Sequence, residues 1–164
     1  MLCTRKVQKV YTTKMSHLTY VPTTVDWCGI CGGDNSTCQE ERGVYNVTRY
    51  GYNTVARIPA RATNIEIRQH GFGRNSNDDT YIALRDVESG EYILNGDFVM
   101  SMFRKTIQYG GMTLEYSGSD TVVERINSSK PLRKDLLVEV LTVGNLYPPQ
   151  VGYTMSSTYR YCFL

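Results

Sequence analysis

At 164 residues, 41% hydrophobic and 21% charged, the chain is long enough for one domain with its own core and is neither disordered nor collagen-like in composition. Its formal net charge of +2 sits at the start: Arg5, Lys6, Lys9 and Lys14 precede the first acidic residue, Asp26, and setting those four aside leaves residues 26–164 at −2. A slightly acidic body argues against nucleic acid or another polyanion as a general partner, and no run of about 18 apolar residues is present to span a membrane.

Taken in chain order, residues 1–25 are basic and Thr-rich, without hydrophobic period and without the apolar stretch of a secretory signal. They are expected to be an unstructured leader or an artefact of an incomplete gene model. Residues 26–43 form a dense turn segment, Asp26-Trp27-Cys28-Gly29-Ile30-Cys31-Gly32-Gly33-Asp34-Asn35-Ser36-Thr37-Cys38. Residues 44–155 then read as strands. Ile65 and Ile67 alternate with Glu66 and Arg68; Ile82 and Leu84 share one face; Met112, Leu114 and Tyr116 share another. The nearly continuous apolar run at 136–143 suits a central strand buried on both sides. Turn signals at Ser89-Gly90, Asn95-Gly96, Gly110-Gly111, Ser117-Gly118 and Gly144 separate these runs, with Asn95-Gly96 the sharpest hairpin signal. Only 98–105 hints at helix, and residues 156–164 carry no pattern. Thirteen tyrosines against four phenylalanines lean the composition toward β. The expected fold is all-β: a jelly-roll-like antiparallel sandwich of about ten strands behind a short disulfide-rich segment.

Cys28, Cys31 and Cys38 are spaced C-x2-C-x6-C, with Cys3 and Cys162 near the ends. A C-x2-C pair can be half a zinc site, but the remaining ligands would come from Cys38, His17, His70, Cys3 or Cys162, none at knuckle spacing. A thioredoxin-like redox pair needs a helix after it, which Gly32-Gly33-Asp34 breaks. Disulfides in an oxidising compartment are the simpler reading. Three clustered cysteines are an odd number, so at least one partner comes from the ends of the chain or from sequence beyond it.

The stretch WCGICGGDNSTC closely resembles the C-terminal signature of the cysteine-rich module in the ADAMTS and ADAMTS-like families, secreted proteases with thrombospondin motifs and their non-proteolytic relatives. Landmarks of the family's spacer module follow in order: Tyr50-Gly51-Tyr52-Asn53, Ile58-Pro59-Ala60, Ala62-Thr63-Asn64-Ile65, Tyr81-Ile82-Ala83-Leu84, Tyr92-Ile93-Leu94-Asn95-Gly96-Asp97, Leu114-Glu115-Tyr116-Ser117-Gly118-Ser119 and Glu124-Arg125-Ile126. The resemblance covers about residues 26–155: the end of the cysteine-rich module at 26–43 and the spacer at 44–155. Its later wording, VERIN and LTVGNLY, looks most like the long, many-repeat members of the nematode gonad-migration protease subgroup.

The resemblance implies an extracellular, matrix-associated module that is not itself an enzyme. It binds matrix proteoglycan or other matrix proteins through exosite loops, alongside the adjoining modules of a parent protein. Zinc and calcium are expected only in a protease domain outside this chain, which is expected to hold no cofactor. A zinc-protease helix needs two histidines four apart with a Glu between, and the only histidines are His17 and His70. No Ser stands in G-x-S-x-G, and the acidic pairs Asp78-Asp79 and Glu115 with Glu124 read as solvated rather than as glycosidase pairs.

Recognition in a sandwich falls to loops. Phe72 and Arg74 on one loop, and Leu146 and Tyr147 beside Pro148-Pro149 on another, are the candidate exosite residues. The bland alternative folds Phe72 back on the sandwich and tucks Tyr147 under the prolines. Asn77, Asp78 and Asp79 make a calcium loop only with ligands the sequence does not supply. Asn35, Asn46 and Asn127 head N-glycosylation acceptors. Two alternative functions stand beside the protease spacer: a piece of a protease-free ADAMTS-like matrix protein, and an unrelated carbohydrate-binding sandwich.

Overall fold

The computed structural model describes residues 2–6, 20–74 and 78–158. Its strands are β1 (Leu2–Lys6), β2 (Tyr20–Thr24), β3 (Cys38–Tyr45), β4 (Gly51–Ile58), β5 (Thr63–His70), β6 (Thr80–Asp86), β7 (Tyr92–Leu94), β8 (Lys105–Tyr109), β9 (Met112–Tyr116), β10 (Val123–Ser128), β11 (Leu136–Thr142) and β12 (Gln150–Thr158). Among the described residues one 3-10 turn, Phe72–Arg74, follows β5. The sandwich is a six-stranded sheet, β3-β12-β5-β10-β9-β8, against a four-stranded sheet, β4-β11-β6-β7. All strand pairing is antiparallel, and the expected all-β sandwich of about ten strands is what forms. β1 and β2 pair with each other in a separate two-stranded sheet, in the stretch where the sequence shows no period. β12 runs on to Thr158.

The side-chain period decides which face each strand buries. Ile65 and Ile67 point inward while Glu66 and Arg68 face out. Met112, Leu114 and Tyr116 are buried together across from Ile58, Ile82, Leu84, Val138 and Val140 in one core. β11 is buried on both faces because it lies inside the smaller sheet and because its outer residues Glu139 and Leu141 are covered as well.

Two local expectations are corrected. Asn95-Gly96 does not close a two-residue hairpin; Asn95 turns at φ 52 and opens the long loop 95–104, which holds no helix at 98–105. The tight hairpin is Gly110-Gly111, with φ of 56 and 76, joining Tyr109 to Met112 in register. Both positive φ values suit the twist of the flanking strands.

The reason lies in the core. β7 ends at Leu94, leaving Ile82 without a neighbouring strand on that side. Side chains complete the ladder instead. The Ile82 N–H donates to Glu124 Oε2 at 2.7 Å, and Asn95 Nδ2 donates to the Ile82 carbonyl at 2.8 Å. Glu124 also bonds Tyr116 Oη, and that hydroxyl reaches the Ser101 carbonyl at 3.2 Å. Tyr116 has one hydroxyl proton. If it goes to Ser101, Glu124 must supply the proton of its own bond to Tyr116 and is therefore neutral. Burial, partly offset by the bonds from Tyr116 and Ile82, pushes Glu124 up from 4.5 to about 8.

A raised carboxyl pKa gives stability that is complete below about 4.5 and is lost as pH rises through about 8. In Glu124→Gln the amide mimics the neutral acid, donating to Tyr116 and accepting from Ile82. The variant should melt within a degree or two of the unaltered chain near pH 4. As pH rises from about 5 to 8 it should melt progressively higher than the unaltered chain, by about 1.4 kcal/mol per pH unit, and the difference should level off above pH 8, in calorimetry across that range.

Candidate functional site

The strand registers fix two poles. Loops 46–50, 71–79, 95–104, 117–122 and 143–149 all leave strands at one end of the sandwich. The cysteine segment and the 158 end of β12 lie at the other, where Thr158 pairs with Cys38.

At the loop pole the expected binding residues meet. The rings of Phe72 and Tyr147 stack with centroids 4.6 Å apart and planes 10° off parallel. Both stay open to solvent, at 40% and 38%, with Leu146 at 52%. Each ring covers one face of the other, so neither is tucked into the sandwich. The Arg74 side chain and Asn77 lie outside the described residues.

Two aspartates hold this pair. Asp78 is buried; its Oδ2 accepts the Phe72 N–H at 2.8 Å and its Oδ1 the Thr80 N–H at 3.2 Å. Asp79, at φ 59, accepts the Val143 N–H on its carbonyl at 2.8 Å and the Asn145 N–H on Oδ2 at 2.9 Å. Gly144 is required there: its φ is 57, and a Cβ would stand 2.5 Å from Asp79 Oδ2. The acidic loop considered for calcium thus turns these carboxylates onto backbone amides. Beneath it, burial first and then Asp79, Asp78 and Glu124 hold the Tyr81 hydroxyl above its ordinary pKa.

At the opposite pole Cys28 and Cys38 form a disulfide, Cα–Cα 5.3 Å, and Cys31 is also disulfide-bonded. Asp26 lies near both sulfurs, but sulfurs joined to each other offer no thiolate to zinc. Asp26 Oδ1 instead accepts the Cys28 and Ile30 N–H groups at 3.0 and 2.8 Å. A Cβ on Gly33 would lie 2.0 Å from Asp26 Oδ2, which explains that glycine. The turn docks on the sandwich where Thr63 Oγ1 and Asn64 Nδ2 donate to the Trp27 carbonyl at 2.5 and 3.0 Å. Asn46 and Asn127 are exposed, Asn127 within β10; Asn35 is exposed too, with its Oδ1 accepting the Trp27 N–H at 2.8 Å.

Sequence reasoning did not single out Asp78 and Asp79 as loop anchors, although an Asp pair just before a strand and after a glycine-rich turn is a pattern that caps backbone amides. It also passed over a second aromatic group. Tyr92, Tyr52, Phe98 and Tyr50 follow one another with centroids 4.6, 5.3 and 6.4 Å apart.

Asp79→Ala removes the acceptor of the Asn145 N–H. It should cost about 0.5–1.5 kcal/mol in thermal unfolding and speed hydrogen exchange at the amides of 143–147, while exchange in β9 is unchanged.

Comparison with known proteins matches residues 40–158 to the family described as ADAM-TS Spacer 1. "A disintegrin and metalloproteinase with thrombospondin motifs 20" of Mus musculus is 53% identical over 131 residues, 80% of this chain and 7% of that protein. "A disintegrin and metalloproteinase with thrombospondin motifs gon-1" of Caenorhabditis elegans is 46% identical over 129 residues, 78% of this chain and 6% of that protein. "A disintegrin and metalloproteinase with thrombospondin motifs 15" of Homo sapiens is 44% identical over 129 residues, 79% of this chain and 14% of that protein. The chain thus spans a small part of each relative.

Proposed function

Because the chain belongs to the ADAMTS family and carries its spacer module, we propose that it is a non-catalytic recognition piece of a secreted matrix metalloprotease. It docks matrix proteoglycan through the Phe72–Tyr147 surface and so contributes to matrix organisation. The relatives are named metalloproteinases, and this chain corresponds to 6–14% of their length. Its histidines, His17 and His70, are too far apart in sequence for the two-histidine helix of a zinc protease. Peptide cleavage, with its zinc and calcium, belongs to a domain outside these residues. The Cys28–Cys38 disulfide suits an oxidising, extracellular setting, and exposed Asn46 and Asn127 are its glycan sites.

The single observation that carries the reading is the exposed stack of Phe72 on Tyr147, fixed from below by Asp78 and Asp79. Two aromatics held rigidly before a partner arrives lose little conformational freedom on binding, the usual condition of an interface hot spot. Removing them should weaken binding without unfolding the sheet, since neither ring belongs to the core cluster.

The test is surface plasmon resonance of the full chain, expressed through a secretory pathway, on immobilised matrix proteoglycan. Phe72→Ala/Tyr147→Ala should raise Kd by tenfold or more with its melting temperature within about 3 °C of the unaltered chain. Equal affinity in the folded variant overturns the reading.

A further inference from the structure

Exposed hydrophobics on this molecule are not scattered. Among the described residues every large one outside Trp27, Ile30 and Val44 lies on the loops of one pole. Patches of this kind mark interaction sites more often than chance exposure does.

The loops are also joined side by side through their backbones. Asp79 ties 143–145 to the 71–79 loop. The Gly71 N–H donates to the Val122 carbonyl at 2.9 Å. The Ser119 and Asp120 N–H groups donate to the Ser101 and Met102 carbonyls at 3.3 and 3.2 Å. Gly118 lets the two backbones touch, for a Cβ there would lie 2.4 Å from the Met102 carbonyl oxygen. Phe98 then stacks on Tyr50, bringing in the 46–50 loop. The pole is thus one continuous surface.

Loop 95–104 holds its apolar side chains outward against a backbone cost. Asp97 and Phe98 both have left-handed φ, 52 and 58, a conformation a bulky residue rarely takes. The Phe98 N–H is fixed on Tyr52 Oη at 3.0 Å, the Ser101 N–H on Asn95 Oδ1 at 2.7 Å, and the Val99 N–H on the Gly96 carbonyl at 2.9 Å. The result is Val99 at 69% and Phe103 at 77% exposure.

We propose that loop 95–104 forms the second half of the recognition surface that begins at Phe72 and Tyr147, and that the whole surface takes a glycan-free stretch of polypeptide through apolar side chains. This rests on the function proposed above and names the part of the proteoglycan that is gripped. Charge selects the occupant. Arg49, Arg74 and Arg104 on these loops are matched by Asp97, Asp120 and Glu115, the last 3.5 Å from Arg104, while Asp78 and Asp79 face inward on amides. A surface without positive excess gives a sulfated glycan chain nothing to pair with, whereas an apolar peptide segment matches it.

The probes are proteoglycan core protein freed of its glycan chains by chondroitinase, and free chondroitin sulfate. The unaltered full chain should bind the core protein, with an affinity that changes less than threefold between 0.1 and 0.5 M NaCl, and should not bind the free glycan. Val99→Ser/Phe103→Ser should raise Kd at least tenfold with unchanged melting temperature, and Phe103→Glu alone should do the same. If both variants bind as the unaltered chain does while Phe72→Ala/Tyr147→Ala fails, the inference is overturned and the function above stands. Binding to free chondroitin sulfate that salt abolishes also overturns the inference. If Phe72→Ala/Tyr147→Ala binds normally and the loop 95–104 variants fail, it is the Phe72–Tyr147 reading that falls, and with it the claim that the two halves are one surface.

Discussion

Glu124 joins the two sheets at the point where the smaller one runs out of strand. Its carboxyl leaves β10 in the larger sheet and accepts the backbone N–H of Ile82 in β6. From there the network runs through Tyr116 to Asn95 and the Ser101 carbonyl. A buried backbone amide without a partner would cost about 1–3 kcal/mol, so β7 can stop at Leu94 only because side chains continue its ladder. The freed chain then becomes the 95–104 loop, anchored at its root and exposed at its tip. Burial favours the neutral form of the carboxyl in this network, and the bonds from Tyr116 and Ile82 partly oppose it.

The same logic governs the rest of the loop pole. Asp78 caps the Phe72 and Thr80 amides at either end of its own loop, Asp79 reaches across to the Asn145 amide in 143–149, and Asn95 holds the Ser101 amide within 95–104: side chains satisfy backbone amides that no strand pairs. Loops built this way are irregular in path but fixed in position, which is what a binding surface needs. Glycine appears where two backbones must touch or where a side chain must pass, at Gly118 and Gly144.

The opposite pole has a different character. There the cysteine turn is fastened by its own disulfide, by Asp26 and by the bonds from Thr63 and Asn64 to Trp27. β3 begins and β12 ends there, side by side. The exposed loops and the pole at which β3 begins and β12 ends therefore lie at opposite ends of the sandwich.

Much of this was set by sequence alone. Alternation with period two placed Ile65, Ile67, Met112, Leu114 and Tyr116 inside, and the continuous apolar run placed β11 in the middle of a sheet, because a strand has only two faces and each must meet water or core. Exposed Phe72 and Tyr147 were also legible, as aromatics among turn residues. What no single stretch of sequence carries is which loop lies beside which. The stacking of Phe72 on Tyr147, the inward aspartates and the joining of 117–122 to 95–104 depend on strand order, and strand order is decided by which pairings let distant faces close one core. Asn95-Gly96 shows the difference most clearly. Locally it reads as a hairpin, yet Asn95 is more valuable to the core as a donor to Ile82, and the tertiary hydrogen bonds outweighed the local turn preference.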